Sequence, residues 1–411
     1  MISKGPFFTL KNKEFRNLLT GRLFMVLAFR MLATLLGWWV YQLTNEAFAI
    51  GLIGLSEVVP AVTCALYAGH VIDNREKKRL LLLCCFAYLI LIGLLLIPAF
   101  GRFDLHLTGH QITYYIYGVI FLTGIARAFI APMVPTMIPK IVKKENLQNA
   151  ITMNQATFLT SSVSGHALGG FLIAWIDIQG TLLVILSFIA IATLFFSSVN
   201  RQFPERKNEE VKVIDSIKEG ITYIYKTKEI MGAMFLDMFA VFFGGAVALI
   251  PVFARDILQV DASSYGALNA ATDLGAAIVI ITLSFVPLKK NQGFILLGVV
   301  AGFGMCIIGF GMSKLYWLSF FLLMLSGILD GVSVVIRGTI VQLKTPDYIR
   351  GRVMSVNSIF IMSSNELGQF ESGLAAKLLG PVKAVIFGGS MTLLIALTVG
   401  LTNPKLRKMS Y

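Results

Sequence analysis

Apolar residues run along this chain in long blocks, separated by short polar segments rich in Lys and Arg. Twelve such blocks fall at 17–43, 47–71, 79–99, 113–139, 147–175, 179–199, 230–254, 263–287, 293–312, 315–342, 352–379 and 383–402. A helix crossing about 30 Å of hydrocarbon needs about 20 mostly apolar residues. Each block meets that length, and the longest must tilt or extend past the bilayer. Lipid offers the backbone no hydrogen-bond partner, so helices are the expected element. The one long polar break is 200–229, where Val213, Ile217, Ile221 and Ile224 recur at helical spacing. It predicts a cytoplasmic linker ending in an amphipathic helix along the membrane surface.

The distribution of cations tests this map. With the N-terminus inside, the segments between spans that face the cytoplasm hold 26 Lys and Arg, and the outer segments hold 5. A missed or invented span would invert every later segment, so the alternation supports twelve spans with both termini cytoplasmic. Composition agrees: 56% of the 411 residues are hydrophobic and only 14% are charged, against about a quarter charged in soluble domains. The net charge of +13 is spread over these segments, which argues against a nucleic-acid partner. The N-terminal basic arm carries no small-residue cleavage site. The four cysteines all lie in apolar blocks, with no metal spacing.

The halves repeat. With an offset of 203, Leu122, Gly124, Thr136, Asn154, Ser161, Gly165 and Gly170 meet Leu325, Gly327, Thr339, Asn357, Ser364, Gly368 and Gly373. With an offset of 215, Lys13, Glu14, Leu43 and Gly51 meet Lys228, Glu229, Leu258 and Gly266. A longer outer segment at 100–112 explains the difference. The expected organisation is a six-helix bundle over 1–199, the linker over 200–229, and a second bundle over 230–411. Parallel repeats of this kind are a transporter architecture.

Local motifs give the repeat a family. Gly69-His70-Val71-Ile72-Asp73-Asn74-Arg75-Glu76-Lys77-Lys78-Arg79 resembles the G-x-x-x-D-R-x-G-R-K signature between the second and third spans of the major facilitator superfamily. It departs at Asn74 and Glu76. Pro251-Val252-Phe253-Ala254-Arg255, Pro346-Asp347-Tyr348-Ile349-Arg350-Gly351-Arg352, Asn365-Glu366-Leu367-Gly368 and Glu371-Ser372-Gly373 resemble the enterobactin-exporter and macrolide-efflux branch. The resemblance implies the major facilitator fold, an all-α membrane protein of twelve transmembrane helices in two pseudo-symmetric bundles. It also implies alternating access, with spans 3, 6, 9 and 12 outside. The charges fit: Arg22, Arg30, Glu57, Arg127, Asp237, Asp273, Asp330, Arg337, Glu366 and Glu371 lie within other spans, and the interiors of these four hold none. Charges in a membrane face the protein interior.

The resemblance makes Gly69, Asp73, Arg75, Lys77, Lys78, Arg350 and Arg352 a cytoplasmic gate, with Asp73 latching to the start of span 11; the alternative is a plain positive-inside segment. Arg30 and Arg127 sit near mid-span. Each is either a structural partner for an acid such as Glu57 or an anchor for an anionic or hydrogen-bonding substrate. Asp273, Asp330 and Glu366 fall near mid-membrane, where buried carboxyls can exchange protons as a cavity opens to either side. A structural ion pair is the rival reading, and Asp330 and Arg337, seven residues apart, are the obvious candidates. Asp237 and Glu371 lie nearer the span ends and read as gate or interface residues. His166 stands where antiporter relatives carry Pro in G-P-x-x-G-G; it is either a packing residue or a further proton-coupling candidate. Trp38 and Trp39 read as interfacial-belt or gate residues.

No nucleotide loop, zinc-protease motif or nucleophile elbow occurs in the chain, so neither an enzyme nor a cofactor is expected. The expected function is proton-coupled export, by a monomer in the inner membrane, of a hydrophobic or aromatic small molecule such as a siderophore or drug. Alternatives are transport of a lysophospholipid or other amphiphile and, further off, a membrane sensor.

Overall fold

The computed structural model describes residues 8–101, 108–201, 213–285 and 290–410. Span 1 is the helix Lys13–Thr44, span 2 Ala47–Asn74, span 3 Lys77–Phe100 and span 4 Gly109–Ile141. Spans 5 and 6 share one run, Leu147–Ser197, whose backbone leaves helical geometry at Ile176 and Asp177. At 1.5 Å per residue an unbroken run would reach about 75 Å, more than twice the hydrocarbon thickness, so this is where the chain turns back. The linker helix is Val213–Lys226. Span 7 begins as Lys228–Phe243 and continues through a 3-10 turn, Ala246–Leu249, to a π turn, Phe253–Ile257. Spans 8 to 12 are Ala262–Phe285, Gln292–Met312, Tyr316–Lys344, Asp347–Leu379 and Pro381–Thr402, followed by a short turn, Pro404–Arg407.

Among the described residues, ten helical runs are long and apolar enough to cross a membrane. The run holding spans 5 and 6 counts once among them. Span 11 is not among the ten because Asn357, Asn365, Glu366, Gln369 and Glu371 make it too polar. With both included, the twelve-helix all-α membrane fold stands. Bare apolar side chains bear this out. Leu83, Phe86 and Ile90 on span 3, and Leu394, Leu397 and Leu401 on span 12, form exposed stripes at helical spacing, a surface that suits lipid. Trp39 is buried, so it is no belt residue; Trp175 and Trp317 are the exposed tryptophans.

By their contacts the residues form two units, Met1–Thr44 with Val59–Asn208, and Asn45–Val58 with Glu209–Tyr411. The division falls within span 2, one residue ahead of Pro60, which removes a backbone donor from that helix.

In unit 1, span 1 packs along span 5. Glycine permits the close approach: a Cβ on Gly169 would lie 3.1 Å from the Met31 Cα, and one on Gly165 would lie 3.0 Å from the Leu27 carbonyl oxygen. Small residues at a crossing are how membrane helices gain packing when lipid gives them no hydrophobic drive. In unit 2 the repeat partner of Gly165, Gly368, plays the same part, its face set against the backbone of Val241 and Phe242 on span 7. Spans 8 and 10 cross through a reciprocal pair: Gly275 abuts the Met324 carbonyl and Gly327 abuts the Thr272 carbonyl. Span 7 breaks at Gly244-Gly245, where Gly245 rests on the Gly368 carbonyl of span 11.

The linker helix does more than lie along a surface. Its Ile224 is buried in the core that spans 7, 9, 10 and 11 share, and the Tyr223 hydroxyl donates to the Lys344 carbonyl at 2.6 Å. Glu219 pairs with Arg352, and Gly220 abuts the Arg352 carbonyl. The linker helix is thus bound to the ends of spans 10 and 11 within unit 2.

Two tests follow from this packing. Gly327→Ala places a methyl against span 8 backbone and should destabilise by about 1–3 kcal/mol, the usual range for overpacking. Gly338→Ala, on the same span but with open space at its Cβ, should leave the midpoint unchanged in heat-challenged size-exclusion profiles. Ahead of span 8, Asp261 accepts from the Ser264 N–H at 3.0 Å and the Ser263 hydroxyl at 2.8 Å. Hydrogen bonds from Ser264 chiefly hold its carboxyl below the usual range, against opposing desolvation. A depressed carboxyl stabilises at pH above its unfolded value, and that contribution fades as pH falls through the folded value. Asp261→Ala should therefore cost about 1 kcal/mol near neutrality, as loss of an N-cap does, and the gap from wild type should close under acid in the same melting assay.

Candidate functional site

The charged residues inside the spans divide by sign. Arg22, Arg30 and Arg127 belong to unit 1, whereas Glu57, Asp237, Asp273, Asp330, Glu366 and Glu371 belong to unit 2 together with Arg337.

Unit 2 centres on Arg337. Span 10 presents it toward span 7, where it forms an ion pair with Asp237; the two side chains are 11% and 9% exposed. Its second terminal nitrogen lies 3.7 Å from an Asp330 oxygen, and its Nε donates to the Ser333 carbonyl at 3.2 Å. Asp330 is 44% exposed. A small crevice between spans 7, 9 and 10 is lined by Asp237, Val241, Val300, Phe303, Asp330 and Ser333, among others. One guanidinium thus meets two carboxylates, one buried against it and one more distant and open. The pair expected from sequence, Asp330 with Arg337, is present as the weaker contact. Asp237, read from sequence as a gate or interface residue, is the partner that closes on Arg337. Its position misled because it lies only about 13 Å along span 7 from Lys228; that a cation inside hydrocarbon needs a buried acid was the signal that pointed to it.

The other unit 2 candidates stand apart from this group. Glu366 accepts from the Gln369 amide at 2.9 Å, one helical turn along span 11. A Cβ on Gly54 would lie 2.9 Å from the Glu366 carbonyl oxygen, so the first part of span 2, which carries half-buried Glu57, runs close to span 11. Asp273 is half-buried on span 8.

In unit 1 all three arginines lie near aromatic faces. Arg22 and Arg30 approach the Phe158 ring at 5.8 and 5.6 Å, and Arg127 the Phe29 ring at 5.8 Å. Such contacts favour a cation, more so away from water. His166 is buried and its Nδ1 shares a 2.7 Å hydrogen bond with the Thr34 hydroxyl, cross-linking spans 5 and 1.

Of the gate candidates, Lys77 is buried and donates to the Thr136 carbonyl at 3.4 Å, tying the start of span 3 to span 4. Gly69 has open space at its Cβ. Arg75 is exposed and Lys78 half-buried, while Glu76 between them pairs with Arg201 at 3.8 Å. The side chain of Asp73 lies outside the described residues. Arg350 donates to the Thr345 carbonyl at 3.2 Å, and Arg352 is held by Glu219 of the linker helix.

Twelve membrane helices, with one arginine meeting two carboxylates inside unit 2, define a polytopic membrane protein. Compared with known families, residues 4–411 match the one described as transmembrane secretion effector, and the chain belongs to that family, within the major facilitator superfamily. The enterobactin exporter EntS of Shigella dysenteriae serotype 1 is 24% identical over 410 residues, covering 96% of this chain and 92% of that protein. The protein of the same name from Escherichia coli strain SMS-3-5 is 24% identical over 411 residues, with the same coverage. Among solved structures, a mutant of the nucleoside transporter NupG superposes with a TM-score of 0.72 at 12% identity, covering 94% of this chain and 99% of that one. A D-xylose-proton symporter gives 0.70 at 14% identity, covering 98% and 99%. The structures share the fold. Family and relatives are transporters, so this chain is a transporter and not an enzyme.

Removing one partner of a buried ion pair leaves an uncompensated charge, typically at about 3–5 kcal/mol. Arg337→Met should therefore sharply reduce the folded fraction, and Asp237→Asn less so, because Asp330 remains. The double change Arg337→Met with Asp237→Asn should recover most of the loss. Detergent thermal midpoints of the four proteins provide the cycle.

Proposed function

We propose that the chain is a proton-coupled exporter of a hydrophobic or aromatic small molecule, working by alternating access as a monomer in the inner membrane with both termini cytoplasmic. The supporting observation is the group of Asp237, Arg337 and Asp330. Asp237 stays paired with Arg337, so Asp330 can take up or release a proton without leaving a buried guanidinium alone. A proton carrier needs that freedom, since an acid locked in its own ion pair cannot titrate without breaking the pair. Glu366 and Asp273 are further candidates for the same role, and His166 a weaker one because its ring is engaged by Thr34. Arg30, Arg127 and Glu57 are assigned to the substrate path. Gly69, Asp73, Arg75, Lys77, Lys78, Arg350 and Arg352 are assigned to the cytoplasmic gate. The family's description as a secretion effector and the distant exporters of enterobactin favour export of a siderophore-like or drug-like cargo.

Purified protein in liposomes with an internal pH-sensitive dye tests this, with catecholates, macrolides and lysolipids offered in turn. One ligand class should evoke proton movement. Asp330→Asn should cut that movement at least tenfold while binding persists, and Glu366→Gln should lower it as well. Labelled ligand crossing without proton movement would mean that these acids are structural. A response confined to lysolipids would transfer the cargo to amphiphiles.

A further inference from the structure

Arg22 and Arg30 sit on one side of span 1, about 12 Å apart along its axis, with the Phe158 ring within cation–π range of both. Neither has a carboxylate within ion-pair distance among the described residues. The Arg22 Nε is buried without a hydrogen-bond partner. On span 5, Asn154, Phe158, Ser161 and Gly165 follow one another at helical spacing on a single face, and Phe158 and Gly165 of that face meet Arg22 and Arg30. The Asn154 Oδ1 and the Ser161 Oγ are also buried and unpartnered. Three of the four such atoms among the described residues therefore gather at this one seam, whereas buried polar groups are normally satisfied. Cation–π contact offsets part of the cost of a guanidinium in hydrocarbon, but it supplies no hydrogen-bond acceptor to the Arg22 Nε.

We propose that this seam in unit 1 binds a planar, conjugated organic anion, an aryl carboxylate or phenolate. The anion's oxygens would be gripped by Arg22 and Arg30, with Ser161 and Asn154 completing the hydrogen bonds. Guanidinium suits such a ligand because it pairs with carboxylate oxygens through a planar fork and stacks on aromatic faces. Phe158 supplies a surface against which the ligand's ring lies. The inference deepens the exporter reading by naming a class of cargo, and it rests on the chain carrying small molecules but not on proton coupling.

The test uses the full chain in nanodiscs of zwitterionic lipid, with affinity read by calorimetry. Benzoate and salicylate should bind, with benzyl alcohol and benzylammonium at least about tenfold weaker, a difference expected for loss of a charge-assisted hydrogen bond. Arg22→Gln and Arg30→Gln should each weaken benzoate about tenfold, with Arg→Lys at either position intermediate because charge remains without the fork. Phe158→Leu should weaken benzoate more than inorganic phosphate. Size-exclusion profiles identify which variants fold, and the Lys and Leu variants carry the test if a Gln variant does not. Equal binding of benzoate and benzyl alcohol, or unchanged affinity in folded variants, would overturn the proposal. So would phosphatidylglycerol in the nanodisc excluding benzoate in wild type but not in Arg22→Gln, since the anion would then be a lipid headgroup. Loss of benzoate binding alongside intact ligand-evoked proton movement in liposomes would remove this inference alone. Benzoate binding without any transport would instead remove the exporter reading.

Discussion

Hydrocarbon supplies neither water nor counter-ions, so every polar group that enters it must be answered by the protein itself. The backbone answers through helices, and the described residues show little else between their short connections. Charges are harder to accommodate. A guanidinium or carboxylate inside a span has to meet a partner of opposite sign, an aromatic face, or a ligand. In this chain the first solution dominates unit 2, where Asp237 closes on Arg337. The second dominates unit 1, where rings of Phe158 and Phe29 lie under arginines.

Placing charges at particular depths demands helices that do not slide, and lipid gives no hydrophobic reason for one helix to grip another. Glycine supplies the grip. Gly165 and Gly169 seat span 5 against span 1, and His166 between them bonds to Thr34 at the same crossing. Gly368 seats span 11 against span 7 just where span 7 loses its regular helix at Gly244-Gly245. At one position the internal repeat is thus a repeat of crossings as well as of letters, Gly165 and Gly368 standing at equivalent crossings in the two units. The charges differ between the units: cations beside aromatic rings in unit 1, and an acid-rich group around a single arginine, between spans 7 and 10, in unit 2.

That division bears on transport. A cationic seam without acids favours an anionic partner from outside the protein, whereas two carboxylates sharing one guanidinium favour exchange of a proton. On the proposed reading, substrate recognition and coupling are separate chemistries carried by separate units. The linker helix belongs to the second of these units through Glu219, Gly220, Tyr223 and Ile224. It binds the ends of spans 10 and 11, and its Glu219 pairs with Arg352.

Much of this was legible from the chain alone. Block length, alternation of cations and the repeat are local or periodic properties that a bilayer imposes on any sequence crossing it, and they sufficed for twelve helices, for the family and for which spans avoid charge. Span 11 was recoverable despite its polarity because Asn357, Ser364, Gly368 and Gly373 within it repeat positions of span 5. The pairing of charges was not legible in the same way. Asp330 and Arg337 share a helix, so their proximity follows from spacing; Asp237 is a hundred residues from Arg337, and only the packing of span 7 on span 10 brings the two together. The same holds for Phe158 beneath Arg22 and Arg30, and for the docking of the linker helix, whose apolar stripe would serve a lipid surface equally well. Periodicity reports which face of a helix is buried; which other helix it meets, and at what depth, is decided by crossings of glycine and backbone that exist only in three dimensions.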